Sequence, residues 1–151
     1  MKYLTITLWT VLLTITASTV AAQSATVSKP YLFKNYPAAI DLSEAQLNNL
    51  FSTKPGQSKT LALSGGFPLT GPIVSNTSKY NNLQSVAIKL TAFNNVLFAL
   101  SKRTAKDNSI VYVGHLFSKD YADGYELKKT ATGSYQLVKV DMNEMLPACS
   151  Q

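Results

Sequence analysis

His115 is the only histidine in this 151-residue chain, and Asp120, Asp123 and Glu126 follow it closely. Serines are frequent, Ser101 and Ser118 among them, so the minimum inventory of a hydrolytic triad is present: a nucleophile, a base and a carboxylate to orient it. The spacing does not assemble one. No G-x-S-x-G elbow lifts a serine onto a strand-to-helix turn, and Gly65-Gly66 runs into Phe67-Pro68 rather than a nucleophile. His115 also alternates with Val113 and Phe117, the pattern of a structural histidine on a strand. A hydrolase using His115 with Asp120 or Asp123 is therefore the second of the functional readings.

Metal and phosphate chemistry are poorly served. Asp120, Asp123, Gly124 and Glu126 resemble a calcium loop only in composition, because that loop needs acids at alternate positions before its glycine and a bidentate glutamate well after it. Zinc would find one histidine and one cysteine. Gly65, Gly66 and Gly71 lack the lysine-serine pair of a phosphate loop. The sequence thus implies no metal site and no cofactor. Asn76-Thr77-Ser78 matches the N-glycosylation sequon, a short pattern that recurs by chance.

The remaining candidates are aromatic. Tyr31, Phe33, Phe67, Tyr80 and Tyr121 fall in segments that read as loops or strand ends, as do Tyr36, Phe93 and Tyr125. Packing on the core is the ordinary use of such residues. Several converging in one groove would instead bind a peptide or glycan, since their flat rings offer contact area at little entropic cost.

Charge narrows the class of partner. The chain carries +6 overall, and Arg103 is the only arginine among scattered lysines. Readers of nucleic acid use arginine for bidentate contacts to phosphate and guanine, so nucleic-acid binding is not expected. Lys102, Arg103 and Lys106 sit beside Asp107 and Asn108, as at a solvated hairpin tip.

The N-terminus states a destination. Lys2 supplies a short positive start, Leu4 to Val20 is free of charge, and Val20-Ala21-Ala22 offers small residues for a signal peptidase. Residues 1–22 are read as a secretory signal cleaved near Ala22, giving a secreted or periplasmic protein. An uncleaved anchor fits less well, because the apolar run is short for a span and rich in threonine. No stable membrane span is expected after cleavage. The 151 residues less these 22 leave 129, enough for one domain, with charge falling to +5 as Lys2 departs. With 46% hydrophobic and 15% charged residues, the chain is expected to fold. Cys149, the only cysteine, cannot close an internal disulfide and could link two copies or a partner.

These side chains must be positioned by a chain that reads mostly as strands. Residues 23–39 form an extended lead-in, 40–146 a single β-rich domain and 147–151 a flexible tail. Asp41, with Glu44 three residues on, predicts a capped helix whose Leu47, Leu50 and Phe51 make one apolar stripe, ended by Lys54-Pro55-Gly56. Beyond Lys59 the period becomes two. Strands are expected over 59–64, 69–75 (with Pro72 marking an edge or bulge), 86–91, 96–101, 110–117, 125–129 and 134–140. Asn76 to Asn82 reads as a polar turn, Ala122-Asp123-Gly124 as another, and 141–146 as one helical turn. Val96 to Ser101, apolar on both faces, reads as a central strand. The fold class is α+β, mainly β: one N-terminal helix packed on an antiparallel meander sheet or small barrel. The leading functional reading is non-catalytic binding of an exported protein, peptide or glycan through a strand edge or aromatic groove. A structural envelope component is the third.

Overall fold

Eight antiparallel strands form one continuous curled sheet in the structure, a computed structural model that describes residues 29–94 and 96–145. Residues 1–22, read as a signal peptide, the start of the lead-in and the tail with Cys149 lie outside the described residues. The strands are β1 (Ala39–Leu42), β2 (Ser58–Ala62), β3 (Pro68–Lys79), β4 (Leu83–Lys89), β5 (Leu97–Thr104), β6 (Ile110–Phe117), β7 (Asp123–Lys129) and β8 (Tyr135–Asp141). Their order in the sheet is β1-β8-β7-β6-β5-β4-β3-β2, so β2 to β8 is an uninterrupted meander and β1 adds beside β8. Among the described residues two α-helices accompany them, α1 (Glu44–Phe51) and the single turn α2 (Met142–Met145), with a 3-10 turn over Ser64–Gly66.

The helix departs from expectation in its place and its cap. A strand, β1, precedes α1, and Asp41 belongs to that strand. The cap is Ser43: its hydroxyl accepts from the Gln46 N–H at 3.2 Å, while the Gln46 side chain accepts from the Ser43 N–H at 2.8 Å. Because α1 leaves one edge strand and leads to the other, it crosses the concave side of the sheet. Leu47, Leu50 and Phe51 are buried in the same core as the inward residues of the strands. Gln46 Nε2 also donates to the Ala62 carbonyl of β2 at 2.8 Å, occupying an edge group that a foreign strand would otherwise take.

The polar stretch from Asn76 is strand, not turn, as far as Lys79. Asn76 is the reason: its side-chain amide donates to the Phe51 and Thr53 carbonyls at 2.8 and 2.9 Å, satisfying the C-terminal end of α1. The sequon asparagine is thus held inside a packing contact. The turn itself is confined to Tyr80–Asn82, where Tyr80 takes a left-handed φ of 62°. Pro72 does not lie on an edge strand, since β3 runs between β2 and β4. It stands beside a register shift between Ile73 and Ser75, the bulge alternative, where a missing N–H leaves no gap in a regular ladder.

Asp123-Gly124 likewise opens β7 rather than turning the chain; the connection from β6 occupies residues 118–122. Asp123 is buried and accepts the N–H groups of Leu32 and Phe33 at 2.7 and 2.8 Å. The lead-in is thereby fastened to the sheet, and Ala122 N–H adds a bond to the Pro30 carbonyl at 2.9 Å. Phe33 then enters an aromatic cluster at this pole, with ring centroids 5.2 Å from Tyr125, 5.3 Å from Phe93 and 5.8 Å from Phe67.

Tyr125 carries a testable consequence. Burial, with the charge of Asp123 as the next cause, pushes its phenol from 10.0 up to about 12, and its hydroxyl donates to the Pro37 carbonyl at 2.7 Å. The folded state therefore keeps this proton where the unfolded chain releases it. Its contribution to stability is complete below pH 10 and is lost as pH rises towards 12. Tyr125→Phe should unfold more easily at pH 7, by about 1 kcal/mol for the lost hydrogen bond. Its urea midpoint should then fall less steeply than that of the wild type between pH 10 and 12. Parallel declines would show that Tyr125 does not govern this window.

Candidate functional site

The sheet is one layer thick, and its two faces are treated differently. Ile88, Phe98, Leu100, Tyr112, Leu116, Tyr125 and Leu127 point inward to α1 and the aromatic pole. The outward set includes Leu97, Val113, His115, Phe117 and Glu126. A solvated outer face would ordinarily be polar. Here Leu97 is 37% exposed, Phe117 41% and Val113 54%.

Leu97 and Phe117 are direct partners in the β5–β6 register, and Leu97 is also opposite Lys89 of β4. The row Lys89–Leu97–Phe117 continues into Ser118 and Lys119, and these five residues line an open cleft of about 370 Å³. On the other side of Lys89 lies a second cleft of about 490 Å³, bounded by Pro72, Leu90, Thr91, Phe93 and Asn94. Both fall in the size range of ligand sites. Lys89 is their shared wall. No carboxylate lines either cleft, and no ion pair joins Lys89 or Lys119 to an acid among the described residues.

Gly71 fixes this arrangement. A Cβ at residue 71 would overlap the Lys89 carbonyl oxygen, a backbone atom that can yield only if β3 and β4 separate. Thr91 N–H and hydroxyl both donate to the Thr70 carbonyl, at 2.9 and 3.0 Å, and hold the two strands together there. Gly71→Ala should therefore cost about 1–3 kcal/mol or more by overpacking, read from the urea midpoint. It should also disturb both clefts at once. A variant of wild-type stability would mean that this close approach is not a constraint.

The residues singled out from sequence are dispersed. His115 is half-buried on the outer face, across from Ala99 and Glu126. Asp123 is on the inner face with Tyr125 and Leu127, both of its oxygens engaged by Leu32 and Phe33, so it does not meet His115. Asp120 lies in the exposed connection after β6, its N–H bonded to Ser118 Oγ at 3.3 Å. No group of three metal-binding side chains occurs among the described residues.

Among the aromatic candidates, Phe33 and Phe67 are buried in the aromatic cluster around Tyr125. Tyr121 is half-buried in the β6–β7 connection. Tyr31 is exposed and donates to Asp141 at 2.6 Å; that bond holds the Asp141 carboxyl below its ordinary range and raises the Tyr31 phenol. Tyr80, 75% exposed, sits in the β3–β4 turn at the opposite end of the sheet. The five do not form one groove.

The residues that sequence reasoning missed are Lys89, Leu97, Phe117 and Lys119. Their signal was an excess of apolar residues: β5 and β6 are apolar on both faces although only one face is covered. Comparison with protein-family models, curated proteins and solved structures gives no match to this chain, so the site stands on its own geometry.

Proposed function

We propose that the protein is a small exported binding module, non-catalytic, that engages an exported protein, peptide or glycan through the outer face of its sheet. Export rests on the charged, apolar, small-residue order of residues 1–22. The scaffold is read as a small open barrel with one helix near its N-terminus lodged against the inner face. The observation that carries the binding reading is the exposed Leu97–Phe117 pair beside a cleft, on a face that water would otherwise select to be polar. The separation of His115 and Asp123 onto opposite faces favours binding over hydrolysis.

Photo-crosslinking in the producing cells tests the reading. A benzophenone side chain at position 97 or 117 should give a discrete adduct with an exported molecule, and one at position 80 should not. Equal adduct yields at all three positions would count against the outer face as the binding surface.

A further inference from the structure

Lys89 stands between an apolar cleft and one of mixed lining, and that division narrows the choice of ligand. On the Phe117 side the walls are Leu97, Phe117 and the stems of Lys89 and Lys119. On the Phe93 side, the Thr91 hydroxyl oxygen, whose proton goes to Thr70, and the Asn94 side chain stand among Pro72, Leu90 and Phe93. A single occupant of both clefts must be extended, must bring one bulky apolar group, and must carry negative charge where it passes the two ammonium groups. It must also use polar walls on the far side. An acyl chain alone has no polar group for a recess bounded by Thr91 and Asn94, and a flat membrane surface presents no extended chain that could follow both clefts. An extended peptide satisfies all of them, because its backbone is polar at every residue and its side chains alternate.

Resting on the outer face being the binding surface, we propose that the paired clefts take an acidic peptide segment of a partner protein. A bulky apolar side chain enters between Leu97 and Phe117, and flanking carboxylates meet Lys89 and Lys119. Charge complementarity selects the partner: the mature chain has an excess of lysine, and both cleft lysines lack a carboxylate partner among the described residues. Asp120, which follows Lys119, tempers the positive field on that side and does not line either cleft. The close approach of Gly71 to the Lys89 carbonyl holds the backbone from which this ammonium extends.

The test is fluorescence anisotropy of labelled peptides with the purified protein. The probes are GSDEFEDSG, its basic counterpart GSKKFKKSG and the truncated GSDEAEDSG, with vesicles of anionic phospholipid as a separate arm. The acidic aromatic peptide should bind saturably, more tightly than either counterpart, and more weakly on going from roughly 0.05 to 0.5 M salt. Lys89→Glu combined with Lys119→Glu, both exposed positions, should weaken it about tenfold or more without changing the circular dichroism spectrum. No saturable binding up to about 1 mM overturns the acidic-peptide assignment. So does binding that the lysine reversals leave intact, or vesicle capture that the peptide cannot compete away. If crosslinks at positions 97 and 117 persist while the peptide fails, the outer face remains a binding surface and only its ligand class is wrong. Loss of both would remove the binding reading itself.

Discussion

Phe33→Ala should destabilise the protein by about 3–5 kcal/mol, enough to leave a small domain marginal or unfolded at 37 °C. The phenyl ring is fully buried and touches four other rings, from Tyr36 at 6.2 Å to Tyr125 at 5.2 Å. No neighbour can slide into the space without abandoning an edge-to-face contact elsewhere in the cluster. Since Phe33 belongs to the lead-in rather than to a strand, its removal also takes away the main apolar anchor of that segment. Equilibrium urea unfolding gives the size of the effect, and Phe33→Leu, which restores most of the volume, should recover about half of it. A cost below about 1 kcal/mol would mean that the lead-in is not part of the core.

Asp123→Asn should cost about 2–4 kcal/mol, although it changes one atom. Each carboxylate oxygen accepts one backbone N–H, from Leu32 and from Phe33. The amide can keep one of these bonds and must turn an NH2 group towards the other donor, leaving a buried N–H without an acceptor. The bonds hold the same segment that Phe33 anchors, so the two variants should not add. The double variant is expected to fall short of the summed single effects by about 1–2 kcal/mol in a double-mutant cycle. Full additivity would show that the ring and the carboxylate act independently.

Much of the scaffold is legible in the sequence because period-two alternation is a local property. The strand 110–117 runs over the residues that the alternation marks, and the split between Tyr112, Leu116 and Val113, His115, Phe117 is the split between the two faces. Errors arise where a polar residue has a tertiary partner. Asn76 reads as turn because asparagine favours turns, yet its amide finishes a helix 23 to 25 residues away. Asp123-Gly124 reads as a hairpin turn because that dipeptide usually is one, yet the carboxylate is spent on a segment about 90 residues earlier. The cap moves from Asp41 to Ser43 because β1 needs Asp41, which accepts from Gln136 across the strand pair at 2.7 Å.

The clefts were hidden for a different reason. Apolar residues on both faces of 96–101 imply burial on both sides only when a second layer exists. Here β5 is central within the sheet, but its outer face has no covering layer among the described residues. What pattern analysis reads as core is, for Leu97 and Phe117, exposed surface. The aromatic candidates failed to converge because Phe33 and Phe67 are consumed by the aromatic cluster that holds the lead-in.

On the proposed binding reading, Leu97 and Phe117 serve recognition and contribute little to folding. Threonine at both positions keeps strand propensity and removes the apolar surface. The direct measurement is retention, by immobilised wild type and by the Leu97→Thr/Phe117→Thr variant, of whatever molecule crosslinks through position 117, with urea unfolding of both as control. Retention should be lost while the unfolding free energy changes by less than about 1 kcal/mol. Undiminished retention, or a stability loss of core size, about 3 kcal/mol or more, would contradict that reading.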